Sequence, residues 1–154
     1  MKWEQIEAAA KEHEVPTIWM FRELWQRMVL ATIMSMDTTH RIVFQGGTAL
    51  RLCYGNTRFS EDLDFVMNKK SLPYSLSEPI LPFHQIVEHL RPMLPGSFEI
   101  TWKIQKATPT LQRTVLTTPL PDKTNVRLHL EFVTVPSYTL RGSHLTNHEA
   151  DLNI

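Results

Sequence analysis

The sequence is short of cysteine, of glycine and of any excess charge. Of its 154 residues one, Cys53, is cysteine. That excludes an internal disulfide and a cysteine-rich zinc site, and it fits a reducing cytoplasm. Cys53 falls within an apolar helical pattern, where a small thiol is expected to act as buried filler and not as a nucleophile. Sixteen Lys and Arg balance sixteen Asp and Glu, so the formal net charge is zero. No global field draws the chain to nucleic acid or membrane, and any such contact needs a local patch. Long apolar runs are missing too. The most apolar region, residues 18–36, is broken by Arg22, Glu23, Gln26 and Arg27, which excludes a membrane span. The first five residues carry no apolar signal core, and neither internal repeats nor low-complexity tracts occur. What is present is the composition of an ordinary soluble globular protein, 42% hydrophobic and 21% charged, with length for one domain, residues 1–154, around one core.

With only five glycines in the chain, two adjacent ones mark a special point. The short apolar run Ile42, Val43, Phe44 is followed by Gly46 and Gly47, which predicts a strand ending in a tight turn. Thr48 is placed to cap a helix through Ala49, Leu50, Leu52 and Tyr54, and Gly55 to stop it. Such a turn at a helix N-terminus offers free backbone N–H groups and the positive end of the helix dipole, so an anion fits there. Next comes Asp62-Leu63-Asp64. Residues two apart on a strand share a face, so Asp62 and Asp64 project side by side while Leu63 and Phe65 turn into the core. Two such carboxylates repel unless a cation neutralises them or one is protonated. Hard oxygen donors favour Mg²⁺ or Mn²⁺. A phosphate cradle followed by paired carboxylates suggests metal-assisted phosphoryl or nucleotidyl transfer. Each motif alone is also an ordinary feature: a capped turn, a solvated strand end.

The remaining elements follow from periodicity. Residues 3–13 read as a short polar helix. Pro16 and Thr17 start a longer one, with Phe21, Leu24, Trp25, Met28, Val29 and Ile33 on one face. Its Trp and Met residues are expected in the core and not as a base-stacking platform. Residues 37–41 read as a polar break, and residues 68–79 as a loop exposing Lys69 and Lys70. Residues 82–93 read as an amphipathic helix with Ile86, Val87 and Leu90 inward and Pro95-Gly96 beyond its end. Three strands follow. In residues 98–104, Phe98, Ile100, Trp102 and Ile104 share a face; residues 111–117 are less regular; in residues 126–135, Val126, Leu128, Leu130 and Phe132 share a face. Residues 107–110 and 118–124 suit turns.

The other face of the last strand carries Arg127, His129 and Glu131. A carboxylate amid apolar neighbours needs a partner or a metal. Glu131 is thus either a third metal ligand or a solvent-facing glutamate on an edge strand, with His129 a neighbour on that face. Residues 91–127 hold a local excess of four positive charges. A basic sheet face there suits a triphosphate or an RNA backbone, or it is an ordinary solvated face. Regular alternation does not put all of those charges on one side.

The run Gly46-Gly47-Thr48-Ala49-Leu50-Arg51-Leu52, followed by Arg58-Phe59-Ser60-Glu61-Asp62-Leu63-Asp64-Phe65, resembles the AbiEii/AbiGii toxin family, nucleotidyltransferases of the DNA polymerase beta-like superfamily. The resemblance covers roughly residues 16–135. It implies an α/β (α+β) fold, a small mixed sheet with helices packed on it. It implies an enzyme that uses an NTP and Mg²⁺ (or Mn²⁺) to move NMP to an acceptor hydroxyl. By analogy the acceptor is an RNA end, tRNA, and the protein is the toxin of a toxin–antitoxin or phage-defence pair with a cognate antitoxin. On this resemblance Asp62, Asp64 and Glu131 hold the metal and carry catalysis. Gly46, Gly47 and Thr48 hold the β- and γ-phosphates, Arg58 contacts phosphate, and Ser60 orients the Asp-x-Asp strand. Relatives continue with a helical segment bearing a lysine and a later aspartate, which the polar residues 141–154 do not clearly supply. The alternative is therefore a truncated, non-catalytic relative that binds nucleotide, RNA or an antitoxin.

Overall fold

Apolar spacing of the helical kind appears four times in the chain and of the strand kind five times, and each becomes an element in the computed structural model. The structure describes residues 2–36, 42–68, 73, 75–94 and 99–136. The polar break at 37–41, Lys69 and Lys70, Pro95-Gly96, Phe98 and the polar stretch 141–154 lie outside the described residues.

The helices are α1 (Trp3–Glu12), α2 (Thr17–Met34), α3 (Gly46–Tyr54) and α4 (Phe83–Leu90), the last running into a 3-10 turn, Arg91–Met93. The strands are β1 (Ile42–Gln45), β2 (Asp62–Asn68), β3 (Thr101–Thr108), β4 (Leu111–Pro119) and β5 (Asn125–Val135). They form one mixed sheet in the order β1-β2-β5-β4-β3. The β2–β5 pair is parallel and the other three are antiparallel.

Period-two alternation decides which face of the sheet is dry. Leu63, Phe65 and Met67 of β2, Leu116 of β4, and Val126, Leu128, Leu130 and Phe132 of β5 are all buried. Helix α2 covers them with Phe21, Trp25, Val29 and Ile33, and α4 with Phe83, Ile86 and Leu90. Aromatic rings join the layers: Phe65 and Phe132 stack at 5.1 Å, and Phe83 meets Phe132 edge-on. The alternate residues, Asp62, Asp64, Arg113, His129 and Glu131, are left to the opposite face.

The structure departs from local pattern in five places. Strand β5 is central, not an edge, so the edge reading of Glu131 does not hold. Strand β3 runs to Thr108, past the expected turn, and its register shifts between Ile104 and Lys106. Asn68 closes β2 instead of opening a loop. On α2, Trp25 and Met28 are buried, but Trp19 and Met34 are exposed, because they lie off the stripe that faces the sheet. Cys53 is only half-buried, and what burial it has pushes its thiol up, away from thiolate character.

Candidate active site

Four backbone events bring the candidate residues together. The first is the turn from β1 into α3. Gln45 takes an extended conformation at the N-cap position, and Gly46 follows at φ +83°. Only glycine adopts that conformation without strain. Space demands glycine as well: a Cβ on Gly46 would overlap Asp64 Oδ2, and one on Gly47 would stand 3.0 Å from Ser60 Oγ. The exposed glycine turn is therefore pressed directly against the carboxylate strand.

The second event corrects the reading of Thr48 as a cap. Helix α3 starts two residues earlier, at Gly46, and Thr48 is 1% exposed. Its hydroxyl donates to the carbonyl of Asp62. The side chain of Thr48 thus pins the start of β2 from beneath, and it is withdrawn from any phosphate on the glycine turn.

The third is the segment between α3 and β2. Gly55, at φ +71°, ends the helix with its N–H on Arg51 O, as the sequence predicts. Arg51 then donates to the carbonyls of Asn56 and Thr57, pairs with Glu23, and lies 3.7 Å above the ring of Phe59. Gln26, buried in the middle of α2, donates to Ser60 O at 2.9 Å. Arg58 is exposed on this segment, at a cleft of about 340 Å³ against α2 that Trp19, Arg22, Glu23, Ser60 and Glu61 also line.

The fourth is the parallel pairing of β2 with β5. It sets Asp62 opposite His129 and Asp64 opposite Glu131. His129 Nδ1 lies 3.1 Å from Asp62 Oδ1. Burial raises the pKa of Asp64, and the charges of Asp62 and Glu131 raise it further, while Arg113 opposes them. The structure thus brings Asp62, Asp64 and Glu131 into one electrostatic neighbourhood beside Gly46.

Arg113 is the residue that local patterns miss. It reaches across from β4, its Nε and Nη2 both donating to Glu131 Oε2 at 2.9 and 2.6 Å. A signal existed. β4 and β5 fold back through a short turn, and pairing Pro119 with Asn125 and counting outward sets Arg113 opposite Glu131. Gln26 was legible only as a polar residue inside an apolar helical stripe.

The donor set can be tested against a divalent cation. Among the described residues no three His, Cys, Asp or Glu side chains stand ready-made around one point. Glu131 is turned to Arg113, and Asp62 to His129. The charge count still favours a cation. Three carboxylates face one guanidinium, and Asp64 holds its proton more tightly than usual, first because it is partly buried and then because Asp62 and Glu131 repel its charge. Oxygen donors with a net negative charge of two fit Mg²⁺ or Mn²⁺ once Asp62 and Asp64 turn together.

The fold is shared with solved structures of low sequence identity. MenT4, a nucleotidyltransferase toxin from Mycobacterium tuberculosis, is similar over 96% of this chain and 53% of its own, with a TM-score of 0.55 and 17% identity. JHP933 from Helicobacter pylori is similar over 86% of this chain and 50% of its own, with a TM-score of 0.58 and 24% identity. The chain therefore spans about half the length of these solved structures. No curated protein sequence is significantly similar. The chain belongs to the family described as nucleotidyl transferase AbiEii toxin, type IV toxin–antitoxin system, whose model matches residues 27–144.

Proposed function

We propose that this AbiEii-family chain is a metal-dependent nucleotidyltransferase domain that moves NMP from an NTP to the terminal hydroxyl of an RNA acceptor, in the cytoplasm, as a toxin restrained by a cognate antitoxin. The observation that carries the reading is the contact of the glycine turn with Asp64, which puts a triphosphate cradle and paired carboxylates within one side chain of each other.

The residues divide the work. Gly46 and Gly47 receive the β- and γ-phosphates on the backbone N–H groups of the first turn of α3. Arg58 is free to swing to the phosphate tail from its exposed loop. Asp62, Asp64 and Glu131 would hold the divalent cation, which when bound would draw the α-phosphate and the acceptor oxygen together and offset the charge developed in transfer. The acceptor oxygen forms a bond to the α-phosphorus, the bond to the β-phosphate's bridging oxygen breaks, and pyrophosphate leaves. The hydroxyl proton departs toward the carboxylate face, where Glu131 keeps one oxygen clear of Arg113. Thr48, Gln26 and Ser60 fix the backbone on which the two aspartates stand.

The test is incubation with each labelled NTP, Mg²⁺ and total RNA. Label is expected to pass to RNA with the wild-type chain and to be lost with Asp62→Ala plus Asp64→Ala. Transfer that persists in the double variant would refute the site. A second reading, a module that binds nucleotide, RNA or antitoxin without turnover, is favoured by one observation: Arg113 already takes up Glu131. Calorimetry separates the two, since that module would bind NTP without releasing pyrophosphate.

A further inference from the structure

Lys103 and Lys106 are three residues apart on β3, and in a regular strand they would point to opposite faces. The shift between Ile104 and Lys106 inserts one residue and cancels that opposition. Lys103 pairs with Val115 and Lys106 with Arg113, and those partners are two apart on β4, so both lysines emerge on the face of Arg113. Arg127 joins them through its pairing with Thr117, two residues further along β4. The same face carries Asp62, Asp64 and Glu131. Lys103, Lys106 and Arg127 are exposed, and among the described residues none of the three has an ion-pair partner. The row Asp64, Glu131, Arg113, Lys106 crosses four neighbouring strands. At about 4.8 Å per strand, Lys106 stands roughly 14 Å from Asp64.

We propose that this bulge-aligned basic strip is the track on which a single-stranded RNA acceptor lays its phosphodiester backbone, with its end at the carboxylates. The acceptor class rests on the function proposed above; the location of the track rests on the register alone. The protein as a whole is neutral, so a polyanion must be held by a local row of unpaired cations, and this row leads from the sheet edge toward the acids. Lysines on an edge strand also guard against edge-to-edge association. That role predicts no dependence of RNA affinity on them.

The experiment measures binding of a short fluorescein-labelled single-stranded RNA by anisotropy across a series of KCl concentrations, without NTP. Each cation taken away from the RNA phosphates lowers the slope of log affinity against log salt by about 0.7. Lys103→Ala plus Lys106→Ala is expected to lower it by about 1.4, and Arg127→Ala by about 0.7. Lys123→Ala, on the β4–β5 turn, is the control and is expected to leave it unchanged. Thermal melts verify that each variant is folded. An unchanged slope in the double lysine variant overturns the proposal, as does a wild-type chain that binds only an acidic protein and no RNA. Because the assay needs no turnover, a lowered slope in an inactive protein still supports the track. Active transfer with an unchanged slope removes the track and leaves the chemistry standing.

Discussion

Gly46 answers two demands at once, a left-handed backbone and an approach too close for a methyl group. Gly46→Ala is therefore expected to lose about 1–2 kcal/mol to backbone strain. It should also push Asp64 aside, lowering transfer about 100-fold, since small misplacements at a reacting centre have effects of that size. Thermal melts and initial rates check both effects. Gly47→Ala should be milder, because the atom it meets, Ser60 Oγ, is at the end of a rotatable side chain. Asp64 makes a prediction of opposite sign. Burial first, and then Asp62 and Glu131, raise its pKa, so the folded protein holds this proton more tightly than the unfolded chain does. That preference favours the fold below the ordinary carboxylate range, and it is lost as pH rises through the raised value. In EDTA, Asp64→Asn should melt higher than wild type at pH 7 and no higher near pH 3.

At the scale of elements, the approach to β2 is fixed by its neighbours more than by itself. Arg51 of α3 ties the carbonyls of Asn56 and Thr57, Gln26 of α2 ties that of Ser60, and Thr48 of α3 that of Asp62. Gln26→Leu leaves the Ser60 carbonyl without its donor, and the expected loss is about 1–3 kcal/mol in urea unfolding. Transfer should fall through kcat more than through KM, because binding groups survive while the aspartates drift. These ties also explain what the sequence hides. Alternation in β2 and β5 and the helix stop at Gly55 are local, and local patterns reveal them. The pairing of Asp62 with His129 joins residues 67 apart, and no nearby residue encodes which strands will be neighbours. Thr48 shows how a strong local cue misleads: threonine beside a helix start reads as a cap, yet tertiary packing turns it beneath β2. The bulge in β3 is likewise invisible until Arg113 and Val115 fix the register.

For the whole molecule, the test is whether the glycine turn and the acids behave as one site. An NTP and Mn²⁺ together, at about 100 times the dissociation constant, should stabilise the fold by about 2.7 kcal/mol. For a chain of this size that is a rise in Tm of about 5–10 °C. In Asp62→Asn plus Asp64→Asn the joint effect should vanish, and fluorimetric melts decide it.

Strand β5 is fifth along the chain but third across the sheet. Until it slides into place, β1–β2 and β3–β4 are separate pairs sharing no ladder, and Asp64 has neither Glu131 nor Arg113 for company. β5 pairs locally with β4, but its pairing with β2 joins residues 67 apart, and long-range pairing of that kind is intrinsically slow. On the function proposed above, a nascent chain is therefore expected to lack the joined acid face until β5 has emerged. By the same logic, one proteolytic cut within β5 leaves β1–β2 and β3–β4 on one chain but breaks the strand that joins them across the sheet.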